Sequence, residues 1–302
     1  MWITSDLERA LTPSAIALGN FDGVHRGHQN VITPVLQQPV RSTVVTFEPH
    51  PREYFSGKRC SLLTPLEEKI SYLKALGVEQ LILLPFNQEL ASLSPEAFVK
   101  EILIAKLNPH YISVGEDFRF GYQRKGTAQD LSAIALTKSI EVNIISLKSN
   151  QQQRISSSRI RACLNSGEIS LANELLGRPY NLTGTVTTGE QRGRTIGFPT
   201  ANLTPPHNKL IPRHGVYAVE VTSTTFPITE PHPAVMNIGM RPTVNGNHPT
   251  IEVHLLNWSG NLYSHRLSIA MKQFLRPEEK FSSLDELKAQ INRDCEQAMS
   301  RK

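Results

Sequence analysis

The sequence predicts a two-domain protein, an α/β domain built on a parallel sheet followed by an antiparallel β domain that ends in a helix. In the first half, short apolar runs alternate with helical patterns, which is typical of a parallel sheet with helical crossovers. Beyond Leu182, strand-like runs follow one another with no helical pattern between them. Such a succession favours an antiparallel barrel.

The strands predicted in the first half are apolar or β-branched runs: Ser14–Leu18, Ser42–Phe47, Leu81–Leu84, Tyr111–Val114 and Glu141–Leu147. The helices predicted between them begin near Gln29, at a capping box Thr64–Glu67, at Ser94 and at the cap Thr127–Asp130. Ligands of parallel sheets bind at the carboxyl ends of the strands. We therefore expect a site where three loops leave strands: Gly19–His28, Glu48–Pro51 and Gly115–Gly121.

The second half is predicted to form a barrel from Leu182–Thr188, Val216–Thr222, Ala234–Ile238, Thr250–Leu256 and Leu267–Met271. A final helix begins at the capping box Ser283–Glu286 and carries the apolar stripe Leu284, Leu287, Ile291 and Cys295. Glycines and a proline punctuate two short helices just before the barrel. We place the domain boundary near Pro179, which predicts domains of residues 1–178 and 179–302.

Composition is that of a soluble globular protein, with 302 residues, of which 39% are hydrophobic and 20% charged. No apolar run reaches the roughly 18 residues of a membrane span. The N-terminus lacks the basic and apolar regions of a signal peptide. Three widely separated cysteines, Cys60, Cys163 and Cys295, suggest reduced thiols. These features predict a cytoplasmic protein with no membrane partner.

The formal net charge of +5 fits either nucleic-acid binding or sites for phosphorylated small molecules. No long run of Lys and Arg appears, and basic residues do not interleave with aromatic ones. The sequence therefore favours small phosphorylated ligands over nucleic acid.

The segment Gly19–His28 combines a strand end, a glycine-rich turn and a helix start. Its glycines let the backbone approach a ligand, and the helix start offers free N–H groups to a phosphate. His25 and His28 are three residues apart and can share one helix face. Two imidazoles beside backbone donors suit a polyphosphate, although such a pair can also be structural. A P-loop does not fit, because the Gly-Lys-Ser/Thr ending is absent. A zinc site is less favoured, because no third ligand lies nearby.

The segment His25–His28 resembles the His-x-Gly-His signature of nucleotidyltransferases, which transfer AMP from ATP. The longer stretch Gly19–His28 resembles the bacterial bifunctional riboflavin kinase/FMN adenylyltransferase family. Class I aminoacyl-tRNA synthetases share the short motif, but their Lys-Met-Ser-Lys-Ser-like loop is absent here. The resemblance implies a Rossmann-like nucleotidyltransferase domain followed by a flavokinase barrel, with ATP as substrate and FMN and FAD as products.

Three further stretches of the first half match the same family: Val45–Pro51, Gly115–Gly121 and Ile155–Arg161. The resemblance assigns catalysis to His25, His28 and Arg161, nucleotide binding to Gly19, Phe21, Asp22, Gly23 and Ser157, and flavin binding to Asp117, Phe118 and Phe120. The two phenylalanines could instead simply pack onto the sheet. Residues 155–161 could equally be a solvated basic helix start.

A second chemical centre is predicted in Gly189–Asn202. Its glycines allow a loop that wraps phosphates, and Thr200 and Asn202 offer oxygens of the kind that Mg²⁺ accepts. A polar hairpin loop is the alternative. The stretch resembles the flavokinase signature Gly-Phe-Pro-Thr-Ala-Asn, which implies that Gly189, Arg192, Gly193, Thr200 and Asn202 bind the nucleotide and that Thr200 and Asn202 hold Mg²⁺.

Glu252 stands in the middle of a predicted strand. Ile251, Val253 and Leu255 alternate onto one face, so Glu252 and His254 point to the other. A solvent-facing glutamate is the ordinary interpretation, whereas the resemblance makes Glu252 the general base of the kinase. It also makes Arg276 a flavin-side residue, for which a surface salt bridge is the alternative.

The sequence therefore predicts an enzyme that phosphorylates riboflavin to FMN and adenylylates FMN to FAD. One alternative is a single-activity nucleotidyltransferase with a degenerate kinase domain, and another is a nucleic-acid-binding module. The intact residues Thr200, Asn202 and Glu252 favour the bifunctional enzyme.

Overall fold

The computed structural model describes residues 1–146, 149–150, 153–188, 192–223, 228, 230–243 and 246–300. The chain divides into two compact units, Met1–Ser157 and Ser158–Lys302. The two short helices before the barrel, residues 157–166 and 169–176, therefore group with the second unit apart from Ser157. A functional boundary at residues 178 and 179 stays a prediction.

The strands of the first unit are β1 (Trp2–Thr4), β2 (Ser14–Leu18), β3 (Arg41–Glu48), β4 (Gln80–Pro85), β5 (Pro109–Gly115), β6 (Arg119–Phe120), β7 (Gly126–Thr127), β8 (Glu141–Ile145), β9 (Ser149–Asn150) and β10 (Gln153–Arg154). Six of them form one parallel sheet in the order β1-β4-β3-β2-β5-β8. The pairs β6–β7 and β9–β10 are short antiparallel ladders.

The helices of the first unit are α1 (Arg26–Leu36), α2 (Pro51–Ser56), α3 (Leu66–Ala75), α4 (Gln88–Ser92), α5 (Pro95–Ala97) and α6 (Ala128–Leu136), with a π-helix at Phe98–Leu107. They cover both faces of the sheet. Ile16 and Leu18 of β2 pack into the core shared with the π-helix and α6, whereas Ala15 and Ala17 pack into the core shared with α1 and α3. Burial on both faces explains why this strand is apolar from Ala15 to Leu18.

The second unit contains α7 (Ser157–Ser166, whose first residue belongs to the first unit), α8 (Ile169–Leu176), α9 (Arg192–Thr195) and α10 (Leu284–Met299). Its strands are β11 (Tyr180–Thr187), β12 (Ala201–Thr204), β13 (Gly215–Ser223), β14 (His232–Thr243), β15 (Gly246–Leu255) and β16 (Arg266–Arg276). They close into an antiparallel barrel in the order β11-β12-β15-β14-β13-β16. The predicted fold class, a parallel α/β unit followed by an antiparallel barrel and a C-terminal helix, is confirmed.

The predicted capping box at Thr64–Glu67 is wrong. The cap position of α3 is Pro65, which has no side-chain cap hydrogen bond. The Thr64 hydroxyl instead accepts a hydrogen bond from the backbone N–H of Gly23, more than forty residues earlier in the chain. A tertiary contact has therefore replaced the local one that the sequence pattern indicated.

Other boundaries differ in smaller ways. The first helix begins at Arg26 rather than near Gln29, and the edge strand β1 and the barrel strand β12 were not predicted. In α10, Leu284 stays 52% exposed, so the helix packs on the barrel through its later part, where Ile291 and Cys295 lie. Among the described residues, no helix is both long enough and apolar enough to cross a membrane.

Candidate active sites

The loop that follows β2 has an unusual backbone. Phe21 and Val24 adopt positive φ angles of 48° and 41°, and Gly23 adopts 95°. A left-handed conformation costs a residue other than glycine about 1–2 kcal/mol. The Phe21 and Val24 side chains are buried in the core, which helps to hold this conformation.

Two side chains hold the carbonyl oxygen of Asn20 at the start of this loop. The Thr46 hydroxyl on β3 donates to it at 3.0 Å, and the Lys69 ammonium on α3 donates to it at 2.9 Å. A carbonyl with two donors is fixed in direction, so the peptide that leads into the left-handed turn is fixed as well.

Asp22 and Gly23 are held by two further segments of the chain. The backbone N–H of Thr64 donates to Asp22 Oδ1 at 3.1 Å, and the Gly23 N–H donates to the Thr64 hydroxyl at 2.8 Å. The Ser157 hydroxyl donates to the Asp22 carbonyl oxygen at 2.8 Å. The structure thus joins Ser157 to the loop through the loop backbone, and the nucleotide-binding role of Ser157 stays a prediction.

Lys69 is a buried lysine, with only 6% of its surface exposed. Burial lowers its pKa from the ordinary value, because the charged form loses water, although the nearby carboxylates of Asp22 and Glu48 oppose this change. Burial also raises the pKa of Glu48, against the opposing effect of Lys69. The Lys69 side chain therefore lies in an environment that disfavours its charged form, with Nζ against the Asn20 carbonyl.

The two histidines lie at the start of α1. His25 is the N-cap residue, and its Nδ1 accepts a hydrogen bond from the His28 backbone N–H at 3.2 Å. The two rings stack with centroids 3.5 Å apart, and Phe21 meets His28 edge-on. Because Nδ1 of His25 accepts, this bond assigns the proton of the neutral imidazole to Nε2.

Gly27 leaves space beside the first ring of this stack. A Cβ atom at position 27 would stand 3.1 Å from Cε1 and 3.2 Å from Nδ1 of His25. These distances are shorter than ordinary van der Waals contacts. The glycine between the two histidines therefore makes room for the first imidazole ring.

The Gly115–Gly121 loop leaves β5 at the same edge of the sheet. Asp117 forms an ion pair with Arg154, in which both side chains are about half exposed. Phe120 is buried in the core with the π-helix and α6, and Phe118 packs against the same core and stacks on Phe120. This packing corresponds to the alternative that the sequence left open, and the flavin-binding role of the three residues stays a prediction.

An aromatic cluster that was not predicted from the sequence follows β3. Tyr54 and Phe55 of α2 contact Phe86, and Phe86 contacts Phe47. Phe55 is 69% exposed. Exposed aromatic rings at the carboxyl edge of the sheet could pack against a planar ligand.

Arg161 lies four residues after Ser157 on α7, so the two residues share a helix face. Arg161 falls in the second unit and is half-buried.

In the barrel, β15 pairs with β12 on one side and with β14 on the other. Glu252 stands directly opposite Asn202 of β12 and directly opposite Asn237 of β14. Their neighbours Ala201, Ile251 and Ile238 are buried in the barrel, whereas these three side chains are half-buried on the opposite face. Directly opposite residues have Cβ atoms about 4.5–5.5 Å apart. The register therefore brings a carboxylate and two amides into one row.

The segment before β12 folds back on α9. The Phe198 N–H donates to the Gly193 carbonyl at 2.8 Å, and a Cβ at position 193 would clash with the Phe198 carbonyl oxygen. The same Cβ would stand 3.4 Å from Oγ1 of Thr200. Gly193 thus allows the close approach between α9 and the segment that carries Thr200. Gly189 lies outside the described residues, as does the side chain of Arg192, whose backbone begins α9.

The Thr200 and Asn202 oxygens suit Mg²⁺ only as a partial ligand set. Among the described residues, no group of three or more His, Cys, Asp or Glu side chains could hold a metal ion. Mg²⁺ in phosphotransfer sites, however, takes few protein ligands and completes its shell with water and phosphate oxygens. A hydroxyl and an amide oxygen fit that arrangement.

The Arg276 side chain forms an ion pair with a buried carboxylate. Its guanidinium donates from Nε and Nη2 to the carboxylate of Asp294 on α10, with distances of 2.8–3.1 Å. Asp294 is 3% exposed and also accepts from Gln290. This ion pair ties the end of β16 to the last helix, and the flavin-side role of Arg276 stays a prediction.

Sequence reasoning missed Thr46, Thr64 and Lys69 as partners of the first loop. Lys69 did leave a signal, because it precedes the core residue Leu73 by four positions and so lies on the buried face of α3. Thr64 was assigned to a local cap, and Thr46 looked like an ordinary strand threonine.

Comparison with protein-family models shows two matches. The FAD synthetase model matches residues 7–159, and the riboflavin kinase model matches residues 176–301. Both halves of the chain are thus accounted for, and the alternative of a nucleotidyltransferase with a degenerate second domain gains no support.

Several curated bacterial proteins named bifunctional riboflavin kinase/FMN adenylyltransferase are similar over most of their length. The protein from Escherichia coli K12 is 38% identical, with 92% of this chain and 90% of that protein covered. The protein from Haemophilus influenzae is 39% identical, with 96% and 94% covered. The protein from Bacillus subtilis is 38% identical, with 95% and 92% covered.

A solved structure is also similar. The crystal structure described as that of a macrolide-efflux protein from Streptococcus pneumoniae covers 99% of this chain and 98% of its own, with 30% identity and a TM-score of 0.88. The two family models and the curated relatives confirm the resemblance found in the sequence. The chain belongs to the family of bifunctional riboflavin kinases/FMN adenylyltransferases.

Proposed function

We propose that the two units divide the two activities that the chain carries as a riboflavin kinase and FMN adenylyltransferase. The barrel unit transfers the γ-phosphate of ATP to riboflavin and forms FMN. The α/β unit transfers AMP from ATP to FMN, forming FAD and releasing pyrophosphate. The observation that carries this division is that each unit holds its own set of phosphate-directed groups, the His25–His28 loop in one and the Thr200–Glu252 row in the other.

In the adenylyl transfer, an oxygen of the FMN phosphate attacks the α-phosphorus of ATP. The nucleophile is already ionised, so the reaction needs positioning and charge neutralisation rather than a general base. The backbone N–H groups at the start of α1 and the Nε2–H of His25 would face the triphosphate. His28 and Arg161 would stabilise the charge that grows on the leaving pyrophosphate. Gly19, Phe21, Asp22, Gly23 and Ser157 shape the loop that holds the nucleotide.

At the flavin end of this site, Asp117, Phe118 and Phe120 belong to the Gly115–Gly121 loop. Phe120 would act from the core beneath the loop, since it is buried. The exposed ring of Phe55, at the same edge of the sheet, offers an additional apolar face for the flavin.

In the kinase reaction, Glu252 acts as general base. It would take the proton of the ribityl 5′-hydroxyl as that oxygen attacks the γ-phosphorus and ADP leaves. Thr200 and Asn202 would hold Mg²⁺, which would neutralise charge on the ATP phosphates when bound. Gly189, Arg192 and Gly193 would contact the phosphates from the loop before β12, and Arg276 would act near the flavin.

The direct test is a product assay with purified protein, riboflavin, ATP and Mg²⁺. We expect FMN to appear first and FAD to follow it. FMN without FAD would contradict the role of the α/β unit. If neither product forms from riboflavin but added FMN still becomes FAD, the barrel has no kinase role.

His28→Ala should reduce FAD formation from FMN about 100-fold, since one preorganised group is lost from the charged transition state. FMN formation from riboflavin should be unchanged, because it takes place in the other unit. The two initial rates are measured on the same preparation. His110→Ala, a change at an exposed histidine of β5, is the matched control, and an equal loss of both activities in His28→Ala would contradict the division.

Glu252→Gln should reduce FMN formation about 1,000-fold, because the amide cannot accept the hydroxyl proton. It should leave FAD formation from added FMN unchanged. Glu230→Gln, at an exposed residue, controls for the loss of one charge. Full kinase activity in Glu252→Gln would remove its assignment as base.

Lys69→Met should lower FAD formation about tenfold, because the Asn20 carbonyl keeps only the Thr46 hydroxyl as a donor. FMN formation is the internal control. An unchanged rate of FAD formation in Lys69→Met would contradict this prediction, because Thr46 and Thr64 would then suffice to hold the loop.

The same variant isolates the effect of pH on stability. The pKa of Lys69 is lowered in the folded protein, so between that pKa and its ordinary value of about 10.4 the unfolded chain binds a proton that the folded chain does not. The free energy of unfolding of the wild type should therefore rise relative to that of Lys69→Met as the pH increases through this window. Urea unfolding of both proteins at about pH 8 and pH 10 measures the change, and a difference that does not vary with pH would contradict it.

A further inference from the structure

His254 has no part in the proposed chemistry, yet it contacts the segment that carries Thr200. It follows Glu252 by two residues on β15 and therefore shares its face of the strand. Its Nδ1 lies 2.8 Å from the carbonyl oxygen of Pro199. Its ring also meets the Phe198 ring edge-on, with centroids 5.6 Å apart.

The chemistry of this contact assigns the proton. A carbonyl oxygen can only accept, so Nδ1 of His254 must donate. The neutral ring is then the Nδ1–H tautomer.

The contact lies where the ladder between two strands ends. β12 pairs with β15 through Ala201 opposite Val253 and Asn202 opposite Glu252. Continuing this antiparallel register by one step would place Thr200 opposite His254, but the pairing stops at Ala201. Thr200 therefore lacks the ladder bonds that fix Asn202, and its position depends on the residues around it.

Two contacts replace the ladder there. From one side, Phe198 is bonded through its N–H to the Gly193 carbonyl. From the other side, His254 holds the carbonyl of Pro199, the residue directly before Thr200. Pro199 lies before the first paired residue of β12, so the imidazole rather than a ladder N–H donates to its carbonyl.

We propose that His254 is a positioning residue of the kinase site, which fixes Thr200 relative to Glu252 through the Pro199 carbonyl. This inference rests on the proposed function, in which Thr200 and Asn202 hold the metal–nucleotide. One strand then places both the general base and, through the imidazole, the hydroxyl ligand. Loss of the contact should weaken binding of the metal–nucleotide more than it slows the chemical step.

The test uses the full chain with four variants: His254→Ala, His254→Asn, Thr200→Ala and His207→Ala. In His254→Asn, the amide nitrogen stands close to the place of Nδ1 and can donate to the same carbonyl. Thr200→Ala defines the signal that belongs to the barrel site. His207→Ala, at an exposed histidine of the same unit, is the matched control.

Two readouts are independent of turnover. Calorimetric titration with ADP and Mg²⁺ measures the heat of binding. The difference between the wild type and Thr200→Ala gives the part of that heat that comes from the barrel site. Long-range ¹H–¹⁵N spectra of histidine-labelled protein identify the His254 tautomer by comparison with His254→Asn. Kinase kinetics then give KM for ATP and kcat separately, and FAD formation from added FMN reports that the α/β unit is intact.

We expect His254→Ala to raise the dissociation constant and KM about five- to tenfold, the loss of roughly one hydrogen bond, with kcat changed by less than about twofold. His254→Asn should recover most of the loss, and neutral His254 should be the Nδ1–H tautomer. An Nε2–H tautomer, or unchanged binding in His254→Ala, would overturn the inference alone. A fall in kcat with KM unchanged would also overturn it, since His254 would then act in the chemical step. If Thr200→Ala itself changes neither binding nor kinase activity, the proposed metal–nucleotide site fails, and the inference fails with it.

Discussion

The first unit depends on the hydrogen bonds that hold the carbonyl oxygen of Asn20. Thr46 and Lys69 donate to it from β3 and α3, and directly after it Phe21 takes a positive φ angle. A left-handed turn of this kind is unfavourable by itself and persists only where the surroundings determine it. With the turn fixed, the groups proposed to bind the polyphosphate, the backbone N–H groups at the start of α1 and the stacked imidazoles, are preorganised. A site whose donors already point at the ligand pays little to reorganise during the reaction.

The barrel reaches a similar result by different means. There the closed ladder fixes β15 between two neighbours, so the position of Glu252 follows from strand register rather than from a held turn. Thr200 lies one residue beyond the ladder, and the residue before it, Pro199, is hydrogen-bonded to the His254 side chain. The two units thus position their polar groups differently. In the first unit they lie in a loop that buried polar side chains hold, and in the second they lie on the outer face of the barrel.

Regular patterns in the sequence predicted most of the fold. The buried runs, the alternation around Glu252 and the glycine-rich loop are local signals, and the structure places all of them as expected. The tertiary contacts of Thr64 and Lys69 were not predicted from the sequence. Thr64 lies in a pattern that matches a helix cap, but its tertiary contact with Gly23 prevails. Lys69 looks like a solvent-facing helix residue unless its spacing from Leu73 is weighed. Long-range hydrogen bonds leave no periodic trace, so the partners of the loop could not be read from the sequence.

The adenylyltransferase site and the kinase site are proposed to work without each other's catalytic groups, and a complementation assay tests this most directly. The two single variants His28→Ala and Glu252→Gln are mixed as full-length proteins with riboflavin, ATP and Mg²⁺. One partner then supplies an intact kinase site and the other an intact adenylyltransferase site, with FMN passing between molecules through solution. The account predicts that the mixture makes FAD from riboflavin although neither variant does so alone at a comparable rate. If FMN accumulates and FAD does not form, while Glu252→Gln still converts added FMN, then the two sites depend on each other within one chain, and the account is wrong.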